Sequence, residues 1–121
     1  MIKSLKFVTV PTSDQDRALA FWVGKMGFRI VTDQPMGPDK RWIELGIPGA
    51  ETGIVLFTPE GQEDRIGTFF NGSFACDNLD YSWRQLSERG VEFEGPPEKQ
   101  PWGSFAKFRD PDGNSFVLSS R

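Results

Sequence analysis

Apolar and polar positions alternate in short runs along this chain, and the alternation gives way twice to a helical spacing. Residues 5–10, Leu-Lys-Phe-Val-Thr-Val, alternate as a strand. Ser13 or Asp14 can cap a helix whose apolar stripe is Leu19, Ala20, Val23 and Met26, and Gly27 stops it. Three strands follow over 28–32, 41–45 and 53–58, the last two separated by Pro48-Gly49-Ala50-Glu51. The second half repeats this order. Residues 73–76 read as a strand, Asp77 or Asn78 as a cap, and Leu79, Trp83 and Leu86 as a helical stripe closed by Gly90. Strands over 91–94, 105–108 and 115–119 complete it, the last two joined by Asp110-Pro111-Asp112-Gly113, whose Pro and Gly suit a type I turn.

The pattern is βαβββ twice, with an offset of about 63 residues, over about 1–60 and about 68–121 of a single 121-residue domain. The expected class is α+β. A unit of this size buries too little apolar surface alone, so two units share a sheet or pair across a dimer. Residues 58–65 are acidic and read as the linker. Residues 95–103 carry three prolines and Trp102, which keeps them out of a central ladder. Three roles suit that segment: a loop presenting Trp102 to a ligand, a contact with a partner subunit, or a rigid surface connection.

The net charge of −3 and a pI near 4.9 argue against nucleic acid as a partner. No run approaches the roughly 20 apolar residues of a membrane span. The stretch Met1-Ile2-Lys3-Ser4-Leu5 is too short for a signal peptide, and a single cysteine, Cys76, leaves no internal disulfide. The expected location is cytoplasmic. There is no histidine, hence no Ser-His or Cys-His dyad. Cys76 shares a strand face with Phe74 and reads as a small buried apolar residue.

Two segments carry a resemblance. One is Lys6-Phe7-Val8-Thr9-Val10-Pro11-Thr12-Ser13-Asp14, leading into a helix that ends Lys25-Met26-Gly27-Phe28. The other is Arg109-Asp110-Pro111-Asp112-Gly113-Asn114-Ser115-Phe116-Val117-Leu118. In this order within βαβββ repeats they resemble the vicinal oxygen chelate superfamily, which holds glyoxalase I, extradiol dioxygenases and the fosfomycin- and bleomycin-resistance proteins. The resemblance implies two βαβββ modules forming a curved mixed sheet around a cleft, and a homodimer, with Phe21 and Trp22 as candidate interface residues because they lie partly off the helical stripe. It also implies where metal ligands would stand. Those places hold Phe7, Asn71 and Val117, and in the first module's last strand Val55 or Leu56. None is a usual ligand for zinc, nickel, manganese or iron. The expectation is therefore no metal and no cofactor.

Strand parity puts Phe7, Thr9 and Pro11 on one face, Trp42 with Glu44 on another, Asn71, Ser73 and Ala75 together, and Ser115, Val117 and Ser119 together. The candidate ligand-binding residues are Phe7, Thr9, Trp42, Glu44, Asn71, Ser73, Trp102 and Val117; catalytic residues are not identifiable. Such mixed apolar and hydroxyl walls suit a small, partly aromatic molecule. The leading expectation is a metal-independent small-molecule binding protein that sequesters or senses such a ligand. An enzyme (lyase, isomerase or transferase) working around Glu44 and a non-catalytic dimeric interaction module are the alternatives.

Overall fold

The computed structural model describes residues 1–120, apart from the side chains of Phe69, Phe70 and Asn71. The chain forms two compact units, Met1–Ile66 and Gly67–Arg121. In the first unit the strands are β1 (Phe7–Val10), β2 (Arg29–Pro35), β3 (Arg41–Gly46) and β4 (Gly53–Leu56), in the order β1-β4-β3-β2. In the second they are β5 (Phe69–Ala75), β6 (Glu92–Phe93), β7 (Glu98–Gln100), β8 (Gly103–Arg109) and β9 (Ser115–Ser120), in the order β5-β9-β8-β6, with β7 also paired to β8. Each unit has its own mixed sheet. The first strand lies parallel to the last, and the other pairings are antiparallel. The α+β class and the repeated βαβββ order are thus as the sequence predicts, with β7 added.

Helix α1 (Gln15–Leu19) starts at Asp14, whose carboxylate accepts the Arg17 N–H at 3.0 Å. It then widens into a π-helical segment, Ala20–Lys25. There Met26 N–H donates to the Phe21 carbonyl, five residues back, at 3.0 Å. The buried face is not the expected stripe but the neighbouring one, at the same i, i+3, i+4 spacing. Ala18, Phe21 and Trp22 are buried, whereas Ala20 is exposed and Leu19, Val23 and Met26 are half-buried. Phe21 and Trp22 are therefore core residues, 4% and 0% exposed, and the expectation that they face a partner subunit is corrected. Trp22 packs against Phe21 and Phe28 with ring centroids 5.1 and 5.2 Å apart. Below it lie Val10, Ile43, Leu45, Ile54 and Leu56, all buried. Each large apolar side chain so covered contributes roughly 1.5–3 kcal/mol.

One polar residue ties helix to sheet. The Gln15 amide donates to the carbonyls of Arg41 (2.6 Å) and Leu56 (2.8 Å) and accepts the Arg41 N–H (3.2 Å). Gly53 is fixed by close approach: a Cβ there would stand 2.2 Å from the Leu45 carbonyl oxygen.

In the second unit α2 (Leu79–Glu88) is capped by Asn78, whose side-chain oxygen accepts the Tyr81 N–H at 3.1 Å. Leu79 and Leu86 are buried as predicted, and Trp83 is half-buried against Phe93. The core beneath is aromatic, with Phe108 stacked on Phe116 at 5.4 Å and Phe74 beside both. The predicted turn after β8 is present, closed by Gly113 N–H to the Asp110 carbonyl at 3.0 Å. Its Asp110 and Asn114 are buried. Asp110 Oδ1 accepts the N–H groups of Asp112 and Asn114, and Oδ2 accepts from the Asn114 amide. Residues 95–103 are not wholly irregular: between Pro97 and Pro101 three residues pair with β8, and the hairpin turns at Pro101-Trp102. An edge position lets proline flank a strand without breaking a ladder on both sides.

Candidate functional site

Each sheet has one face covered by its helix and one that is not. In the first unit register sets Thr9 beside Val55, Val55 beside Glu44 and Glu44 beside Thr32, a row across all four strands on the uncovered face. Trp42 shares that face, as parity predicts for Glu44 and Trp42. Its ring lies 5.7 Å from Phe7 on one side and 5.7 Å from Phe57 on the other. Phe7, Thr9, Trp42 and Glu44 are half-buried, and Val55, in the middle of the row, is fully buried. Four of the predicted site residues therefore share one surface. Phe57 belongs with them and was not anticipated, since it lies at the frayed end of a predicted strand.

In the second unit Ser73 pairs with Val117 and Val117 with Lys107; the next row is Ala75, Ser119 and Phe105. The Ser73 and Ser119 hydroxyls are 2.9 Å apart, joining the rows. Two of the candidate residues, Ser73 and Val117, thus stand side by side on neighbouring strands. Asn71 lies in the irregular stretch of β5 between Phe69 and Gly72, and its side chain is outside the described part. The two rows also remove an ambiguity of the first half: Thr9–Val55 corresponds to Ser73–Val117, so Val55, and not Leu56, is the counterpart of Val117.

The second unit carries a groove of about 520 Å³. β9 forms its floor with Ser119 and Ser120. The end of β5 gives one wall with Cys76 and Asp77, and the β7–β8 hairpin gives the other with Trp102 and Phe105. Trp102 is 76% exposed, so its indole is a plate at the mouth and not a core residue. Cys76 is half-buried, which corrects the expectation of a buried apolar residue. Its thiol donates to the Ser119 carbonyl at 3.6 Å. Burial pushes the thiol pKa up and Asp77 adds to this, against the lowering hydrogen bond with Ser82. A protonated thiol at neutral pH is a wall group, not a nucleophile. The first unit has a smaller opening of about 180 Å³, bounded by Thr12, Gln15, Lys40, Phe57 and Thr58.

A family model described as the Glyoxalase/Bleomycin resistance protein/Dioxygenase superfamily matches residues 4–118. The chain belongs to that superfamily. It is 38% identical over 121 residues to an uncharacterized protein, YetH, of Bacillus subtilis (strain 168), covering 98% of each chain. Among solved structures it is similar to a glyoxalase/bleomycin resistance protein/dioxygenase superfamily member from Sphaerobacter thermophilus DSM 20745, with a TM-score of 0.89 and 36% identity over 99% of this chain and 98% of that one. It is also similar to TnmS3, an antibiotic binding protein from Streptomyces sp. CB03234, with a TM-score of 0.83 and 37% identity over 98% and 96% of the two chains.

Among the described residues no three His, Cys, Asp or Glu side chains stand together as a possible metal group. Glu44 sits in a row with two threonines and a valine, and Lys107, an exposed cation, stands at the matching place of the second sheet. No described helix is long and apolar enough to cross a membrane.

Proposed function

We propose that the protein binds a small, partly aromatic organic molecule and holds it without metal and without transforming it. The observation that carries this reading is the surface made by Trp102, Phe105 and the serine hydroxyls of β8 and β9 around the 520 Å³ groove, a volume within the usual range of ligand pockets. The aromatic row of Phe7, Trp42 and Phe57 gives the first unit a second apolar surface of the same character. The similarity to an antibiotic binding protein, at 37% identity, supports binding over turnover. Sequestration or sensing needs only complementary walls, whereas catalysis needs groups whose acidity is tuned to a step. In this reading the protein works as a cytoplasmic homodimer, as the sequence predicts.

Intrinsic tryptophan fluorescence tests it. A screen of aromatic metabolites and drugs against the wild type, Trp42→Phe and Trp102→Phe is expected to give saturable quenching that one substitution removes. Hits whose affinity and signal survive both substitutions would refute the site. Light scattering at micromolar concentration is expected to give twice the 13.6 kDa chain mass; a persistent 13.6 kDa would refute the dimer.

A further inference from the structure

The two units invite comparison with each other, because register fixes the correspondence. Thr9, Val55 and Glu44 match Ser73, Val117 and Lys107, an offset of 62 to 64 residues. Carried along the strands, this places the 180 Å³ opening of the first unit and the 520 Å³ groove of the second at the same structural position: the ends of the first and last strands and the start of the third. The same place is narrow in one module and wide in the other, and the residues say why.

In the first unit it is narrowed by its own side chains. Thr58 Oγ1 accepts the Thr12 N–H and donates to the Thr12 carbonyl, both at 2.9 Å. Gln15 spans Arg41 and Leu56. The Lys40 ammonium lies 5.7 Å over the Phe57 ring, and Phe57 covers Trp42. In the second unit Lys40 is matched by Gly103, Gln15 by Leu79, Thr12 by Cys76 and Phe57 by Ser119. Trp42 is matched by Phe105, so an aromatic floor persists while the ring that would cover it is gone. At the position of Asp39 stands Trp102, 76% exposed. The module has lost the groups that plug the position and gained an aromatic plate beside it.

We infer that this groove is the ligand site of the second module, and that it takes a planar aromatic molecule, neutral or cationic, carrying polar groups at its rim. The inference rests on the binding function proposed above and assigns it a place and a ligand class. The body of such a molecule would lie between Trp102 and Phe105. The hydroxyls of Ser104, Ser119 and Ser120 would meet its polar rim. Among the described residues lining the groove Asp77 is the sole charged one, so an anion would meet its repulsion.

Cys76, the one cysteine of the chain, lies in the wall and serves as the reporter. Three planar probes are used: acridone (neutral), proflavine (cationic) and anthraquinone-2-sulfonate (anionic). Acridone and proflavine are expected to quench tryptophan fluorescence and to slow iodoacetamide alkylation of Cys76 about tenfold when present at about ten times Kd. The sulfonate should do neither. Ser119→Phe restores the plug of the first module and should abolish protection while the protein still melts cooperatively, since Phe105 offers the ring the support that Trp42 gives Phe57. Trp102→Ala, at an exposed position, should weaken protection without unfolding and serves if Ser119→Phe folds poorly. Asp77→Asn should weaken proflavine more than acridone. Quenching with Cys76 alkylated at the unprotected rate would overturn the groove while leaving the binding function standing. Protection equal for all three probes would overturn the ligand class. Absence of quenching by every probe would count against binding itself and against this site.

Discussion

Replacing Asn114 with alanine should be among the most damaging single truncations of a polar residue in the second unit. Asn114 is 1% exposed. Its side-chain oxygen accepts the Gly67 N–H at 2.9 Å, and its amide donates to Asp110 Oδ2 at 2.9 Å. Truncation removes both bonds and strips a buried carboxylate oxygen and a main-chain donor of that partner. At about 1–3 kcal/mol for each of the two groups left without its bond, the loss is about 2–6 kcal/mol. For a chain of this size that lowers the melting temperature by on the order of 10 °C. Asn114→Asp separates the hydrogen bonds from charge. It keeps an acceptor for Gly67 but sets a second carboxylate against Asp110. Burial already raises the Asp110 pKa above the ordinary 3.8, with Asp112 adding to it against the lowering bonds from Asn114 and Asp112 N–H. A folded-state pKa raised in this way favours folding below the ordinary carboxylate value and loses that favour as pH rises through the raised one. The Asp variant should therefore be hurt most near neutrality and recover as pH falls toward about 4. Thermal melts from about pH 4 to pH 7 give the answer. An alanine variant within about 0.5 kcal/mol of wild type, or an Asp variant whose deficit does not shrink on acidification, would refute the reasoning.

Gln15→Leu should cost about 1–3 kcal/mol in chemical denaturation, because the Arg41 and Leu56 carbonyls lose their donor. Trp22→Ala should cost about 3–5 kcal/mol and leave the mass by light scattering unchanged, since the ring lies in the core; altered assembly in a folded variant would contradict that placement. Arg41 holds the Asp33 carboxyl below its usual range through a two-pronged bond at 3.0 and 3.1 Å. That contribution is present above the ordinary Asp pKa and fades as pH falls through the lowered one. Asp33→Asn should flatten this acid limb, by less than about 1 kcal/mol for so exposed a pair. Cys76 should react with iodoacetamide more slowly than a free thiol at neutral pH and go on gaining rate above the usual thiol range, where a free thiol has levelled off, as its raised pKa requires.

Much of the fold was legible because alternation and caps are local. Asp14 and Asn78 cap their helices as their residue types suggest, and the Asp110–Gly113 turn follows from proline and glycine. The helix stripe of the first unit was misread because the segment offers two apolar sets at helical spacing, Leu19-Ala20-Val23-Met26 and Ala18-Phe21-Trp22, and spacing alone does not say which of them the sheet receives. The candidate residues Phe7, Thr9, Trp42 and Glu44 came from parity, and parity survives folding wherever the ladder is regular. Phe57, Phe105 and Ser119 went unlisted for a different reason. What distinguishes them is a comparison across modules, and that needs the register of the third and fourth strands, which no single strand reveals. Aligning the halves at an offset of 62 to 64 would have exposed the Phe57-to-Ser119 exchange from the letters alone.

The parallel pairing of first and last strands has a kinetic consequence. Thr12 meets Thr58, and Ser73 meets Ser119, each across 46 residues of chain. The hairpins β2–β3 and β8–β9 close over short loops and form quickly; β1 and β5 cannot dock until everything between is in place. Each module is thus finished by its own beginning. In pulse-labelled hydrogen exchange during refolding, the amides of Val8, Val10 and Phe74 should gain protection last, and β4 and β9 should wait with one bare edge until then. While that edge is bare the chain is at its most prone to pair with a neighbour, so dilution and low temperature should govern the yield of refolding more than the depth of the final free-energy minimum.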